Sequence, residues 1–286
     1  MGKNFMRRYI MKCGPAKQKG FQIGNVNNAT EAALHICFSI EKSDAENPND
    51  AKVQIWNLSD NNLKILESKD CSVELRAGYG DVLALILAGN VTSAITTREN
   101  ADRMTEMTVV DGNVELRDTS LSISLKGKVN SKDVYQTIAN EMGMAIEFGE
   151  GVTFKTLPHG FTYVGKAKYA LKKITNYCCH VWSIQNQVLQ ITKYGRPLAP
   201  TGYLLSSETG LLKVPKRITI GSGDAMQSGW EVEYLLNGAI GINDAIELRS
   251  SVANGYFRVQ KITFDGDNLD GDWICTAQLL EIELKS

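Results

Sequence analysis

The sequence predicts a mainly β protein, α+β taken whole, in which two antiparallel β-barrel-like modules flank a small α+β insert. Three observations carry this. Apolar and polar residues alternate along the first and last thirds; Gly, Asn and Asp punctuate those runs; helical periodicity is concentrated in the middle. Side chains alternate faces along a strand, so period-2 runs broken by turn residues mark short antiparallel strands. A chain of 286 residues has room for two or three domains of about 100–150 residues each. The boundaries we expect are an N-terminal arm over 1–20, a first β module over 21–118, an insert over 119–200 and a second β module over 201–286.

Residues 1–20 are polar and basic, which suits a flexible arm or an edge strand. From Phe21 the pattern turns to β. Ala33, His35, Cys37 and Ser39 share one face, and Leu34, Ile36, Phe38 and Ile40 share the other, so His35 belongs to the surface. Residues 43–50 carry turn chemistry, and a strand through Val53, Ile55 and Trp56 follows. Ser59-Asp60 caps a short helix with Leu63 and Leu66 inward. Further strands run over 71–80, 82–94 and 103–111. The uncharged run Val82, Leu83, Ala84, Leu85, Ile86, Leu87, Ala88 implies burial or a subunit contact, with Val82, Leu83, Leu85 and Leu87 as its candidate residues.

In the insert, Asn130 or Ser131 caps a helix that carries Val134, Ile138 and Met142 on one stripe and stops at Gly143. A second amphipathic helix covers 166–177. Short strands are expected at 121–125, 145–148 and 160–164, with a hairpin around Asn186. In the last module Trp230, Val232, Tyr234 and Leu236 share one parity, Asn237-Gly238 reads as a hairpin turn, and strands follow near 245–249, 255–264 and 273–284.

Charge is uneven. There are 14 basic against 16 acidic side chains over 1–120, 10 against 4 over 121–200, and 7 against 12 over 201–286. With a net charge of −1 the whole chain gives no reason to bind nucleic acid or a membrane surface. No apolar run reaches membrane-spanning length, and no secretory or myristoylation signal opens the chain, so synthesis in a cytoplasm is expected. The six cysteines form no C-x-x-C pair and read as reduced packing residues. Cys178-Cys179 beside His180 lacks the second cluster that a metal site needs.

Catalytic templates are missing. There is no phosphate loop, nucleophile elbow or zinc helix, and Gly221-Ser222-Gly223 lacks the setting for dinucleotide binding. Asp265, Asp267, Asp270 and Asp272 fall within ten residues, a set of oxygen ligands of the kind Ca²⁺ takes, but their spacing is not that of an EF-hand and a solvated hairpin turn explains them. Glu141, Glu147 and Glu150 lie near one another, and helix and turn positions explain them more simply than glycoside hydrolysis does. No cofactor is called for.

Residues 229–236 with Asn243-Asp244, the run Asn254-Gly255-Tyr256-Phe257-Arg258-Val259, and Gly266-Asp267-Asn268 before Gly271-Asp272-Trp273 resemble the closing domain of phage tail hub proteins. Thr209-Gly210-Leu211-Leu212 with Pro215-Lys216 belongs to the same pattern. Residues 53–59, a short helix, then 73–80 and 85–91 follow the order of the first domain in such hubs. The resemblance implies two tail-tube-like barrels per chain, although no residue-level repeat links them. It implies a non-enzymatic virion component of the baseplate: a homotrimer whose pseudo-sixfold ring joins the tail tube to the central spike. Other baseplate proteins would be its neighbours, and DNA would pass through its lumen beside the acidic last module. The alternatives are another tail-tip protein, such as a distal tail ring or adhesin base, and a tail-associated peptidoglycan hydrolase.

Overall fold

The computed structural model describes residues 6–15, 18–28, 30–46, 49–112, 116, 118–221 and 226–282. Met1 to Phe5 of the expected arm, Asn47-Pro48 of the expected turn, Ser222-Gly223 of the glycine turn and the last two positions of the final strand lie outside these.

The chain is mainly β, as expected, but its strands do not close into two barrels. Thirteen strands form one open sheet. Its first half contains β1 (Arg7–Pro15), β2 (Phe21–Gly24), β3 (Ile36–Ser43), β4 (Asp50–Trp56), β5 (Cys71–Tyr79), β6 (Val82–Glu99) and β7 (Asp102–Val110). The insert strands are β8 (Ser120–Leu125), β9 (Val129–Asn130), β10 (Ala145–Phe148), β11 (Thr156–Leu157), β12 (Phe161–Lys166), β13 (His180–Gln185) and β14 (Val188–Lys193). The second half of the main sheet contains β15 (Gly202–Leu205), β16 (Lys216–Ile220), β17 (Gln227–Leu235), β18 (Ala245–Arg249), β19 (Asn254–Asp267) and β20 (Trp273–Glu281). The path runs β16-β17-β20-β19-β3-β4-β7-β6-β5-β1-β2, with β18 and β15 branching from β19.

β19 explains the open form. One edge pairs with β20 along most of its length. On the other edge, residues 254–258 pair with β18 and residues 261–267 pair antiparallel with β3. The changeover falls at Gln260, where the register slips; such a bulge bends a strand and increases its twist. An edge given to β3 is unavailable for closing the second sheet on itself. The two β regions therefore share one core, in which Ile36, Phe38 and Ile40 meet Val259, Ile262, Phe264 and Leu279.

Two local expectations are corrected. The N-terminal stretch is neither arm nor edge where it is described, because β1 lies between β5 and β2. Its alternating Tyr9, Met11 and Cys13 are buried, and that apolar face pulls the basic stretch into the sheet. Asn237-Gly238 is not a hairpin turn, since β17 pairs with β16 and β20 while β18 pairs with β15 and β19. Neither residue has positive φ. Glycine is needed there for space: a Cβ at Gly238 would overlap Ile86 Cγ2.

The insert has its own core, with Val134, Tyr135, Ile138, Leu171, Ile174, Trp182 and Leu189 at its centre. Helix α2 (Ser131–Met142) begins where the Asn130 side chain accepts from Lys132 N, and ends on Gly143 in the left-handed region. Helix α3 (Ala167–Cys178) ends on left-handed Cys179. The helix Asp60–Leu66, α1, starts on Ser59 as expected.

Candidate functional site

Three features of the described surface bear on function: the joint between insert and sheet, a side-chain trio on the β3–β19 seam, and unpaired strand edges.

The joint is polar and buried. The β13–β14 turn places Asn186 and Gln187 at positive φ, aiming consecutive amides at one acceptor. The Asp111 carboxylate takes both, Asn186 N at 2.5 Å and Gln187 N at 2.9 Å. Asn186 Oδ1 accepts from Lys42 Nζ, and Asn186 Nδ2 donates to Leu85 O at 3.2 Å. Asn49 Nδ2 reaches Ile184 O at 3.1 Å, and Gln185 Nε2 reaches Ser43 O at 2.8 Å. Burial pulls the Lys42 ammonium down to about 8, against an opposing pull from the Asp111 charge. On the far side, Asn243 Nδ2 donates to Gln190 Oε1 at 3.1 Å, and Arg258 donates to Asn243 Oδ1 at 2.7 Å and Asp44 Oδ2 at 2.6 Å. Buried networks of this kind favour one geometry, because a broken partner leaves an unpaired group in low dielectric, as Arg258 Nε already is here.

At the seam, β3 strand alternation places His35 and Cys37 on one face, and Cys37 stands opposite Asp267 in the ladder. Asp267 Oδ2 accepts from Cys37 Sγ at 3.0 Å, and Oδ1 lies 3.1 Å from His35 Nε2. Cys37 Sγ and His35 Nε2 are 3.6 Å apart. The His35 ring stacks on Trp56 at 4.0 Å. Leu269 N and Asp270 N also donate to Asp267 Oδ1. Arg7 binds the main-chain carbonyls of Asp267 and Gly271, so β1 holds this loop as well. Burial, then the hydrogen bond and charge of Asp267, push the Cys37 thiol up to about 12. A nucleophilic cysteine is activated by the reverse shift. It is the one group of three or more potential metal ligands among the described residues.

The other sequence candidates disperse. Val82 is 73% exposed at the hairpin tip, Leu83 and Leu85 are half-buried, and Leu87 is buried. Leu85 borders a cavity of about 320 Å³ between insert and last module, together with Lys42, Glu147, Asn186 and Asp244. Three of the four aspartates take different partners: Asp265 accepts from Ser39 Oγ at 2.7 Å, Asp267 joins His35 and Cys37, and Asp270 accepts from Gly271 N. Glu141, Glu147 and Glu150 are all exposed. Asp244 belongs to the hub-like pattern in the sequence but was not among the candidate site residues. Its carboxyl is pushed up by burial and by the charge of Glu147, against the opposing hydrogen bond from Gly241 N. No local pattern announces that pair, which folding assembles across nearly a hundred residues.

Among the described residues, three strands of the main sheet, β2, β15 and β16, have a single neighbour each. Exposed edges are templates for further strand pairing. Near β15 and β16 lie exposed Tyr203, Leu204, Leu212 and Val214. No described helix is long and apolar enough to cross a membrane.

No family model and no curated sequence matches the chain. Among solved structures, it is similar to the 43 kDa tail protein of prophage MuSo2 from Shewanella oneidensis, with a TM-score of 0.62 at 10% identity, covering 96% of this chain and 97% of that one. It is similar to the tail protein from Neisseria meningitidis MC58, with a TM-score of 0.58 at 11% identity over 96% of each chain. An E. coli component of the type VI secretion system, described as structurally similar to T4 bacteriophage tail proteins, aligns at a TM-score of 0.60 and 9% identity over 88% of this chain and 74% of that one. At these identities the likeness shows fold alone: the chain shares its fold with these two tail proteins and the secretion-system component.

Proposed function

We propose that this chain is the hub of a phage or phage-like tail baseplate. Three copies form a pseudo-sixfold ring that joins the tail tube on one side to the central spike on the other, within the virion, after synthesis in the host cytoplasm. The observation that carries the reading is likeness to two tail proteins along almost the whole length of the chain, insert included. Two further neighbours favour a spike-proximal place: the type VI secretion component and a chain of a PdpA–VgrG complex. The two β regions supply two tube-facing surfaces per chain. A closed threefold ring repeats each contact and leaves no edge unpaired. The tip of the β5–β6 hairpin, with exposed Val82 flanked by Leu83 and Leu85, is the proposed subunit contact, while Leu87 anchors the hairpin in the core. Other baseplate proteins dock around the ring, DNA passes through it, and the acidic surplus of residues 201–286 lines that passage. The role is structural and not enzymatic.

Light scattering tests the oligomer. A mass of three times the 31.5 kDa protomer is expected; six times that mass favours a distal tail ring or adhesin base. One observation favours a lytic role: Glu147 and Asp244 border one cavity, with the Asp244 carboxyl held toward its protonated form. Glycosidases need such an acid. Cell-wall clearing by the purified protein that disappears in Asp244→Asn would establish that role in place of a purely structural one.

A further inference from the structure

The trio on the seam has a chemistry that tail assembly does not require. We propose that His35, Cys37 and Asp267 bind one zinc-class divalent cation, which staples the β3 strand of the first β region to the end of β19 in the last.

The donor set selects the cation. One imidazole nitrogen, one thiol sulfur and one carboxylate oxygen form a borderline-soft mixture that suits zinc, whereas calcium and magnesium take oxygen ligands. One potential ligand atom from each residue lies within 4.8 Å of the other two; Cys37 Sγ is 3.0 Å from Asp267 Oδ2, His35 Nε2 is 3.1 Å from Asp267 Oδ1, and Sγ and Nε2 are 3.6 Å apart. Zinc bond lengths of roughly 2.0–2.3 Å imply edges of about 3.4–3.6 Å in a tetrahedron. The 3.6 Å between Cys37 Sγ and His35 Nε2 already matches such an edge, and the Asp267 carboxyl places one oxygen against each of the two. Side-chain exposures of 28% for His35 and 23% for Asp267 leave a path for the ion and room for water as a fourth ligand.

The surroundings hold the ligands in place. His35 is stacked on Trp56. Cys37 is fixed in the β3–β19 ladder. The Asp267 carboxylate is oriented by the amides of Leu269 and Asp270, and its own main chain by Arg7. Outer contacts of this kind orient metal ligands. On binding, the Cys37 thiol gives its proton to solvent and the thiolate sulfur bonds the cation. His35 binds through the Nε2 lone pair, with its proton on Nδ1, and Asp267 binds as the carboxylate. One proton leaves per cation, so binding strengthens as pH rises.

The test uses the full-length, reduced chain after treatment with EDTA and dialysis. Cobalt chloride is titrated while thiolate-to-metal absorption is recorded, and zinc chloride is titrated by calorimetry in two buffers of different ionisation enthalpy. The expected result is one cobalt per chain with a thiolate band that zinc displaces, one proton released per zinc, and no heat with calcium. Cys37→Ser should abolish the band, and Asp267→Asn should weaken binding by roughly tenfold or more. Cys179→Ser, at an exposed cysteine outside the trio, should change nothing. Circular dichroism checks that the variants fold, and Asp267→Asn decides the matter if Cys37→Ser does not. A wild-type chain that binds no stoichiometric cobalt or zinc overturns the proposal, as does a thiolate band that survives both substitutions in folded protein.

Discussion

Ile40 and Phe264 stand opposite each other in the ladder where β3 meets β19, at 1% and 2% exposure. Partners in an antiparallel ladder point to the same face, so this pair belongs to a core that takes side chains from both ends of the chain. The terminal β regions consequently form one folding unit with the insert set against it.

That pairing makes the seam a point of shared failure. Phe264→Ala should cost about 3–5 kcal/mol, the usual range for deleting a buried aromatic ring. Urea unfolding followed at Trp56 and Trp273 should give coincident transitions in wild type and variant. Separate transitions for the two regions would show that the seam does not couple them.

Gly238 tests the close approach of the last module to the β5–β6 hairpin. Gly238→Ala should destabilise by about 1–3 kcal/mol through overlap with Ile86. Ile86→Ala, which removes Cγ2, should cost less in the Gly238→Ala background than alone. A double-mutant cycle reads the coupling, and strict additivity would mean that the two residues do not touch.

Lys42 gives the joint a pH dependence of unusual sign. Its folded-state value is lowered from 10.5 to about 8, burial being the main cause. The unfolded chain therefore holds more protons between pH 8 and 10.5, and this group's contribution to stability rises with pH across that window. The whole change is about 3 kcal/mol. Buried cysteines titrate with the opposite sign above pH 9, so the measurement is the stability difference between wild type and Lys42→Met. That difference should move toward wild type from pH 7.5 to 10.5; a flat difference would show that Lys42 is not held as a buried cation.

The hairpin separates assembly from folding. Val82→Asp alters an exposed tip and should leave stability within about 0.5 kcal/mol while dissociating the proposed trimer in light scattering. Leu87→Ala removes a buried side chain and should cost about 2–5 kcal/mol of stability. A trimer unchanged by Val82→Asp would move the subunit contact elsewhere.

What the sequence made legible was local. The alternation of Ile36, Phe38 and Ile40 announced β3 and its buried face. Asn130 and Gly143 marked the limits of α2 because a side-chain cap and a left-handed terminus are properties of single residues. The β3–β19 pairing was not legible, since it joins segments more than 200 residues apart and no local period encodes it. His35 and Cys37 read as surface and packing residues for the same reason: Asp267 arrives only when the sheet forms. Gly238 was read through turn chemistry, whereas its missing side chain serves the fit against Ile86. The alternation of Tyr9, Met11 and Cys13 is that of a buried strand face, but Arg7, Arg8 and Lys12 around it suggested a peripheral arm.

The most direct test of the hub reading is a cryo-EM reconstruction of an assembled tail tip containing this chain. The account predicts three copies around an open axis, between tube and spike, with both β regions of each copy lining a pseudo-sixfold ring. Six copies in the ring, or a single copy lying outside the axis, would contradict it.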